Sequence, residues 1–174
     1  MAILRIITAP DPRLKMIAEP VTQVDDELRQ FMDDLLETMY DAHGIGLAAT
    51  QVGVLKRVLV LDIAQREGDR KPMFFINPEI TEHSDETNTY TEGCLSFPDQ
   101  FADVERPKYV KVKYLDYDGK AQEIDADELL ATCLQHEIDH LDGKVFVDYI
   151  SKIKRDIILR RLKKDKKHYE QPSS

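Results

Sequence analysis

The stretch from residue 125 to residue 143, DADELLATCLQHEIDHLDG, decides how this chain is read, and at its centre stands His136-Glu137-Ile138-Asp139-His140. Two histidines four positions apart lie on one face of an α-helix, about 6 Å apart along the axis, so both rings can reach one ion. The glutamate beside the first histidine can stand near the open position of such a site without being a ligand itself. The plain alternative is a solvated helix face bearing two neutral histidines. Asp125 as N-cap, with Glu128 three positions on, is a capping-box variant that opens the helix, and Gly143 stops it.

A catalytic metal site takes three protein ligands and leaves one position open. Cys133 is nearest in sequence, but it lies about 10.5 Å along the axis from His140. A thiol whose bond to metal is about 2.3 Å cannot close that gap. Cys133 reads instead as a small buried residue on the inner face of the helix. The third ligand must come from another segment. Cys94, in Glu92-Gly93-Cys94-Leu95-Ser96-Phe97-Pro98, is the leading candidate, because Gly93 frees the backbone beside the thiolate. A carboxylate, drawn from 33 acidic residues, is its rival.

Gly44-Ile45-Gly46-Leu47-Ala48-Ala49 fits the pattern G-x-G-x-x-[GA] of dinucleotide-binding turns. That fingerprint should follow a strand, whereas a helix precedes it here, and the dinucleotide reading is rejected. A better account is a glycine-rich extended edge that another chain can approach closely. Gln51, just beyond it, can offer a side-chain amide donor to a developing oxyanion.

The wider composition suits a soluble globular domain: 174 residues, 42 % apolar and 33 % charged. No apolar run approaches the roughly 18 residues that span a bilayer. Residues 1–7 are too short and too quickly interrupted for a secretory signal, and no membrane association is expected. Two cysteines make no disulfide scaffold, and a cytoplasmic, reducing location would leave either free to ligate metal. Residues 151–168 carry nine Lys or Arg against two Asp. That excess of seven, set against a total of −9, leaves −16 on the rest of the chain. A basic terminal helix on an acidic body is a candidate footprint for an RNA-rich partner. A merely solvated charged face is the alternative.

Helical spacing of Leu28, Phe31, Met32, Leu35, Met39 and Ala42 predicts a first helix over 25–42, with Gly44 as its C-terminal cap. Strands are expected over 57–63 and 73–76. A hairpin is expected from 110–117, closed at Asp118-Gly119. The last helix begins near Asp148 or Ser151. The expected fold is α+β: short antiparallel sheets packed around a central HExxH helix, with a C-terminal helix. One domain is expected over 1–168, with a disordered tail over 169–174.

Three blocks stand in order: Gly44-Ile45-Gly46-Leu47-Ala48-Ala49-Thr50-Gln51, Glu92-Gly93-Cys94-Leu95-Ser96 and Gln135-His136-Glu137-Ile138-Asp139-His140. This combination resembles the peptide deformylases, over nearly the whole chain from Pro10-Asp11-Pro12-Arg13-Leu14 to the terminal helix. The resemblance implies hydrolysis of the N-formyl group from the initiator formyl-methionine of newly made polypeptides, with release of formate. It assigns Cys94, His136 and His140 to the metal and Glu137 to acid–base work. Gln51 and the backbone N–H of Leu95 would meet the oxyanion. Ile45, Gly46 and Gly93 would hold the substrate backbone as an added strand. Leu129, Thr132 and Cys133, with Ile45, would line the methionine pocket.

Thiolate and imidazole suit both Fe²⁺ and Zn²⁺; the resemblance implies Fe²⁺ in the cell, with Zn²⁺ or Ni²⁺ as substitutes. A monomer is expected, with ribosome contact through the basic segment. Two positions depart from the family's habit: Phe101 stands where many bacterial members carry arginine, and Thr132 replaces a commoner aliphatic residue. Two rivals make different predictions. A zinc endopeptidase would cleave internal peptide bonds, and a metal-stabilised RNA-binding module would close its site with a fourth ligand.

Overall fold

The structure is a computed structural model describing residues 2–64 and 68–170, with side chains described through residue 165. In chain order the elements are α1 (Asp26–Asp41), β1 (Gly46–Ala48), β2 (Val58–Leu61), β3 (Met73–His83), β4 (Thr87–Cys94), β5 (Phe97–Pro107), β6 (Tyr109–Leu115), β7 (Ala121–Asp127), α2 (Glu128–Leu141) and α3 (Lys152–Glu170). Five strands form an antiparallel sheet in the order β1-β2-β3-β6-β7, and β4 and β5 make a separate hairpin.

Val58-Leu59-Val60-Leu61 shows how the sheet is covered, because all four residues of β2 are fully buried. Successive strand side chains point to opposite faces. Val58 and Val60 accordingly pack with Leu28, Met32, Leu35 and Met39 of α1. Leu59 and Leu61 turn the other way, onto Ala131, Leu134, Ile138 and Leu141 of α2. Ten of the fourteen residues of α2 are buried, so it is an interior helix rather than an amphipathic surface one. A third cluster joins Phe97 and Val104 of β5 to Phe146, Ile158 and Leu162, and this anchors α3. The α+β arrangement around the HExxH helix is the expected one. Among the described residues no helix is long and apolar enough to cross a membrane.

Several boundaries differ from expectation. Asp125 does not cap α2. It lies inside β7, paired with Lys111, and its carboxylate accepts from the Tyr109 hydroxyl at 2.5 Å. The strand runs on through Asp127, where α2 takes over, because the hairpin register extends to Tyr109↔Asp127. Tertiary pairing there outweighs the low strand propensity of a polar segment. Gly44 is not the left-handed residue that ends α1; His43 is, with φ 58°. The N–H of His43 bonds Tyr40 O and that of Gly44 bonds Met39 O, a Schellman closure. β3 continues past Ile76 to His83, with a register shift at residues 76–79, where Asn77 has φ 51°. The β4–β5 hairpin was not expected at all. Gly143 does end α2, with φ 76°, and the 110–117 hairpin closes with Gly119 at φ 83°. Of the expected tail, Tyr169 and Glu170 belong to α3, and 171–174 lie outside the described residues.

Candidate metal centre

Cys94 ends β4, where the β4–β5 register shifts between Gly93 and Cys94. The residues gained by that shift, 98–100, lie on β5, and at the end of β4 the thiol meets α2. Sulfur Sγ of Cys94 and one ring nitrogen each of His136 and His140 all lie within 4.8 Å of one another. Cys94 Sγ is 3.3 Å from His140 Nε2. Two donors with ordinary thiolate and imidazole bond lengths, held at a tetrahedral angle, stand about 3.5 Å apart. The donor set therefore fits one divalent ion. Cys133, also on α2, lies outside this trio.

Glu137 is the second test of fit. The residue is 5 % exposed, and its Oε1 stands 3.9 Å from His136 Nε2, while Oε2 has no partner among the described residues. Burial pushes this carboxyl up to about 7. A group poised there can take and return a proton near neutral pH. His140 is held well below its ordinary value, by burial first and then by the neighbouring charges of His136 and Arg106. It thus presents the neutral imidazole that a metal requires. For His136, burial works the same way but is outweighed by hydrogen bonds to Cys94 and Glu92, and its value rises well above the usual one.

Gln51 is 1 % exposed, in a 3₁₀ turn spanning Ala49–Val52. Its Oε1 accepts from the Ala48 N–H at 2.9 Å, which fixes which way the amide faces. The Nε2 end then reaches Cys94 Sγ at 3.4 Å and Ser96 Oγ at 3.1 Å. Leu95 lies in the turn joining β4 to β5, beside the thiol. The structure brings Ile45, Gly46, Gly93, Leu129, Thr132 and Cys133 together as walls of one cleft of about 630 Å³, with Cys94, Leu95, His136 and Glu137 in the same lining. Phe101 stands at this cleft too, 66 % exposed. β1 is the edge strand of its sheet, so its outer backbone is open to an added strand.

Four residues escaped the sequence reading. Glu92 Oε1 pairs with His136 Nδ1 at 2.9 Å, which leaves Nε2 for the ion. Arg106 clamps the same carboxylate, Nε to Oε2 at 2.7 Å and Nη2 to Oε1 at 2.9 Å. It also reaches Asp139 Oδ2 at 2.8 Å, an oxygen that accepts from the Tyr149 hydroxyl at 2.7 Å. Burial opposes both charges of the Glu92–Arg106 pair. Hydrogen bonds from His136 and then Arg106 outweigh it for the carboxyl, which lies below its usual range, and bonds to Glu92 and Asp139 outweigh it for the guanidinium, which lies above. A faint signal existed for Glu92, since strand periodicity puts it on the same face as Cys94. Nothing local marks Arg106.

The sequence profile described as Polypeptide deformylase matches residues 3–156. The chain belongs to the polypeptide deformylase family. It is 57 % identical over 166 residues to the peptide deformylase of Bartonella tribocorum, covering 94 % of this chain and 93 % of that one. With the Rhizobium meliloti peptide deformylase it shares 54 % over 164 residues, 94 % of each chain. Among solved structures, the peptide deformylase of Ehrlichia chaffeensis superposes with a TM-score of 0.91 at 44 % identity, covering 96 % of this chain and 98 % of that one. A structure of that enzyme in complex with actinonin gives 0.90 at 47 %, covering 95 % and 98 %.

Proposed function

We propose that this chain hydrolyses the N-formyl group from the initiator formyl-methionine of new polypeptides and releases formate. One observation carries the reading: Cys94, His136 and His140 converge beside a buried Glu137 carboxylate in an open cleft. When bound, a divalent ion in this donor set supplies Lewis acidity, polarising the carbonyl and lowering the pKa of water. Fe²⁺ is the cellular ion in this reading, with Zn²⁺ or Ni²⁺ able to replace it, because one thiolate and two imidazoles suit all three.

The chain's own residues do the rest. Glu137 takes a proton as water adds to the formyl carbon. It returns that proton to the amine as the C–N bond breaks, so formate and a free α-amine leave. The Gln51 amide, turning one hydrogen away from Ser96 Oγ, and the Leu95 N–H meet the growing charge on the carbonyl oxygen. Ile45, Gly46 and Gly93 hold the peptide as a strand beside β1. The methionine side chain enters between Ile45 and the wall of Leu129, Thr132 and Cys133. Selectivity for formyl over acetyl would come from lack of room for a methyl group at the bound ion. The enzyme works as a cytoplasmic monomer, and the basic face of α3 meets the ribosome where its substrate emerges.

The test is formate release from formyl-Met-Ala-Ser by metal-loaded protein, with acetyl-Met-Ala-Ser and an internally cleavable peptide alongside. Formate should come from the first peptide alone. Glu137→Gln should keep its metal and lose at least a hundredfold in kcat. Internal fragments, or undiminished turnover in that variant, would overturn the reading.

A further inference from the structure

We propose that Tyr149 is a positioning residue for the metal ligand His136, acting through Asp139, Arg106 and Glu92. The inference rests on the metal-site reading above and adds a residue that touches neither ion nor substrate.

His136 can offer Nε2 to an ion only if Nδ1 has a fixed partner, and Glu92 Oε1 is that partner at 2.9 Å. Glu92 is itself held by two bonds from Arg106. The guanidinium spends its remaining strong contact on Asp139 Oδ2, at 2.8 Å. Asp139 sits three residues after His136 on α2, so the chain of contacts leaves that helix, crosses β5 and β4, and returns to it. Tyr149 closes the outer end twice over. Its hydroxyl donates to Asp139 Oδ2 at 2.7 Å, and its ring covers the guanidinium with the Arg106 Cζ 4.7 Å from the centroid.

Burial shows why a cover is needed. Arg106 is 4 % exposed and Glu92 is 6 % exposed, whereas Tyr149 is 47 % exposed and stands between them and solvent. An ion pair loosens as its surroundings become more water-like. Removing the ring therefore admits water to the Arg106–Asp139 contact. Removing only the hydroxyl frees Asp139 to turn away. Either change lets Arg106 shift, and Glu92 follows it. Tyr149 ends the 3₁₀ turn Phe146–Tyr149, three residues before α3, so the seating of that helix reaches the ligand through this contact.

The probe is Co²⁺, bound to the full chain and followed by its ligand-field and sulfur-to-metal bands, with affinity measured against a chelator. Glu92→Gln should lose about tenfold to a hundredfold in Co²⁺ affinity. Tyr149→Phe should lose about threefold to tenfold, Tyr149→Ala more, each with shifted ligand-field bands. Tyr109→Phe is the control: it deletes a comparable hydroxyl bond to Asp125, on the far hairpin, and should change neither readout. If Tyr149→Phe binds Co²⁺ as tightly as the parent protein with an unshifted spectrum, Tyr149 is merely structural and the inference is wrong. Undiminished affinity in Glu92→Gln would break the relay and overturn it equally. Absence of a sulfur-to-metal band in the parent protein is a separate failure, that of the metal-site reading, and it takes this inference with it. Should Tyr149→Ala not fold, Tyr149→Phe decides alone.

Discussion

Gly46 has no room for a side chain. A Cβ there would stand 2.7 Å from Leu61 Cδ2 and 3.0 Å from Glu137 Oε1. Leu61 and Glu137 are both buried, so the strain is shared between the leucine and the carboxylate. Gly46→Ala should cost about 1–3 kcal/mol of stability by overpacking. It should also lower kcat/KM, by less than the roughly hundredfold that a 1 Å misplacement costs, since the carboxylate need give only by a few tenths of an ångström. Urea unfolding and steady-state kinetics on one preparation check both; full activity with lost stability would show that Glu137 is not displaced. Such a constraint is hard to read from sequence. The glycine was visible, and so was its closeness to a substrate edge, but the neighbours that crowd a methyl group, Leu61 and Glu137, are 15 and 91 positions away. Cys94 was only partly legible: metal chemistry narrows the side chains that qualify, but a carboxylate stayed open until the family resemblance chose the thiol.

Elements divide by how local their causes are. α1 begins one residue from expectation, because Asp25 caps it by accepting from the Leu28 N–H at 2.9 Å. The β6–β7 turn was equally plain. Asp116 organises it, accepting from the N–H groups of Asp118 and Lys120 and from Gln122 Nε2. The Lys120 backbone bond first, then Gln122, hold this carboxyl below its ordinary value. A depressed folded value means stability present above the unfolded pKa of about 3.9, and lost as pH falls through the folded one. Asp116→Asn should therefore unfold at lower urea than the parent protein at neutral pH. The gap should close in acid. A gap independent of pH would remove the carboxylate's charge from the account. By contrast, the β4–β5 hairpin, which carries Glu92 and Cys94, has mixed polar strands with no turn signal between them. Its pairing is dictated by the neighbours it packs against.

For the whole molecule, a metal held by Cys94 and the two histidines would couple α2 to the β4–β5 hairpin, which meet there. An ion held at 100 times its Kd stabilises by about 2.7 kcal/mol. For a domain of this length that is roughly 5–10 °C in Tm. Stripping the metal with a chelator should lower the melting temperature by that amount and reloading should restore it; an unmoved Tm would argue against a site that ties the two elements. α3 makes a second whole-molecule case. Ile158 and Leu162 are buried against the third cluster, while Lys152, Lys154, Arg161, Lys163 and Lys164 face outward. Replacing Arg161, Lys163 and Lys164 with serine should leave turnover of a short formyl peptide intact. Ribosome binding should weaken, and its salt dependence should flatten by about 0.7–0.9 in log–log slope per lost phosphate contact. Binding that ignores salt would remove α3 from that role.

Read alone, the chain left Cys94 beside a carboxylate rival until the family resemblance chose it, but it indicated the α1 and α2 helices, the β6–β7 hairpin and the His136, Glu137 and His140 cluster. Each of these follows from spacing over a few residues or from a narrow choice of side chain. The tertiary structure alone decided the meeting of Cys94 with α2, the burial that lifts Glu137, and the line from Tyr149 through Arg106 to His136. Those depend on segments distant in sequence meeting in a space from which water is excluded. No local pattern encodes that exclusion, because it arises only when the sheet, the hairpin and three helices close on one another.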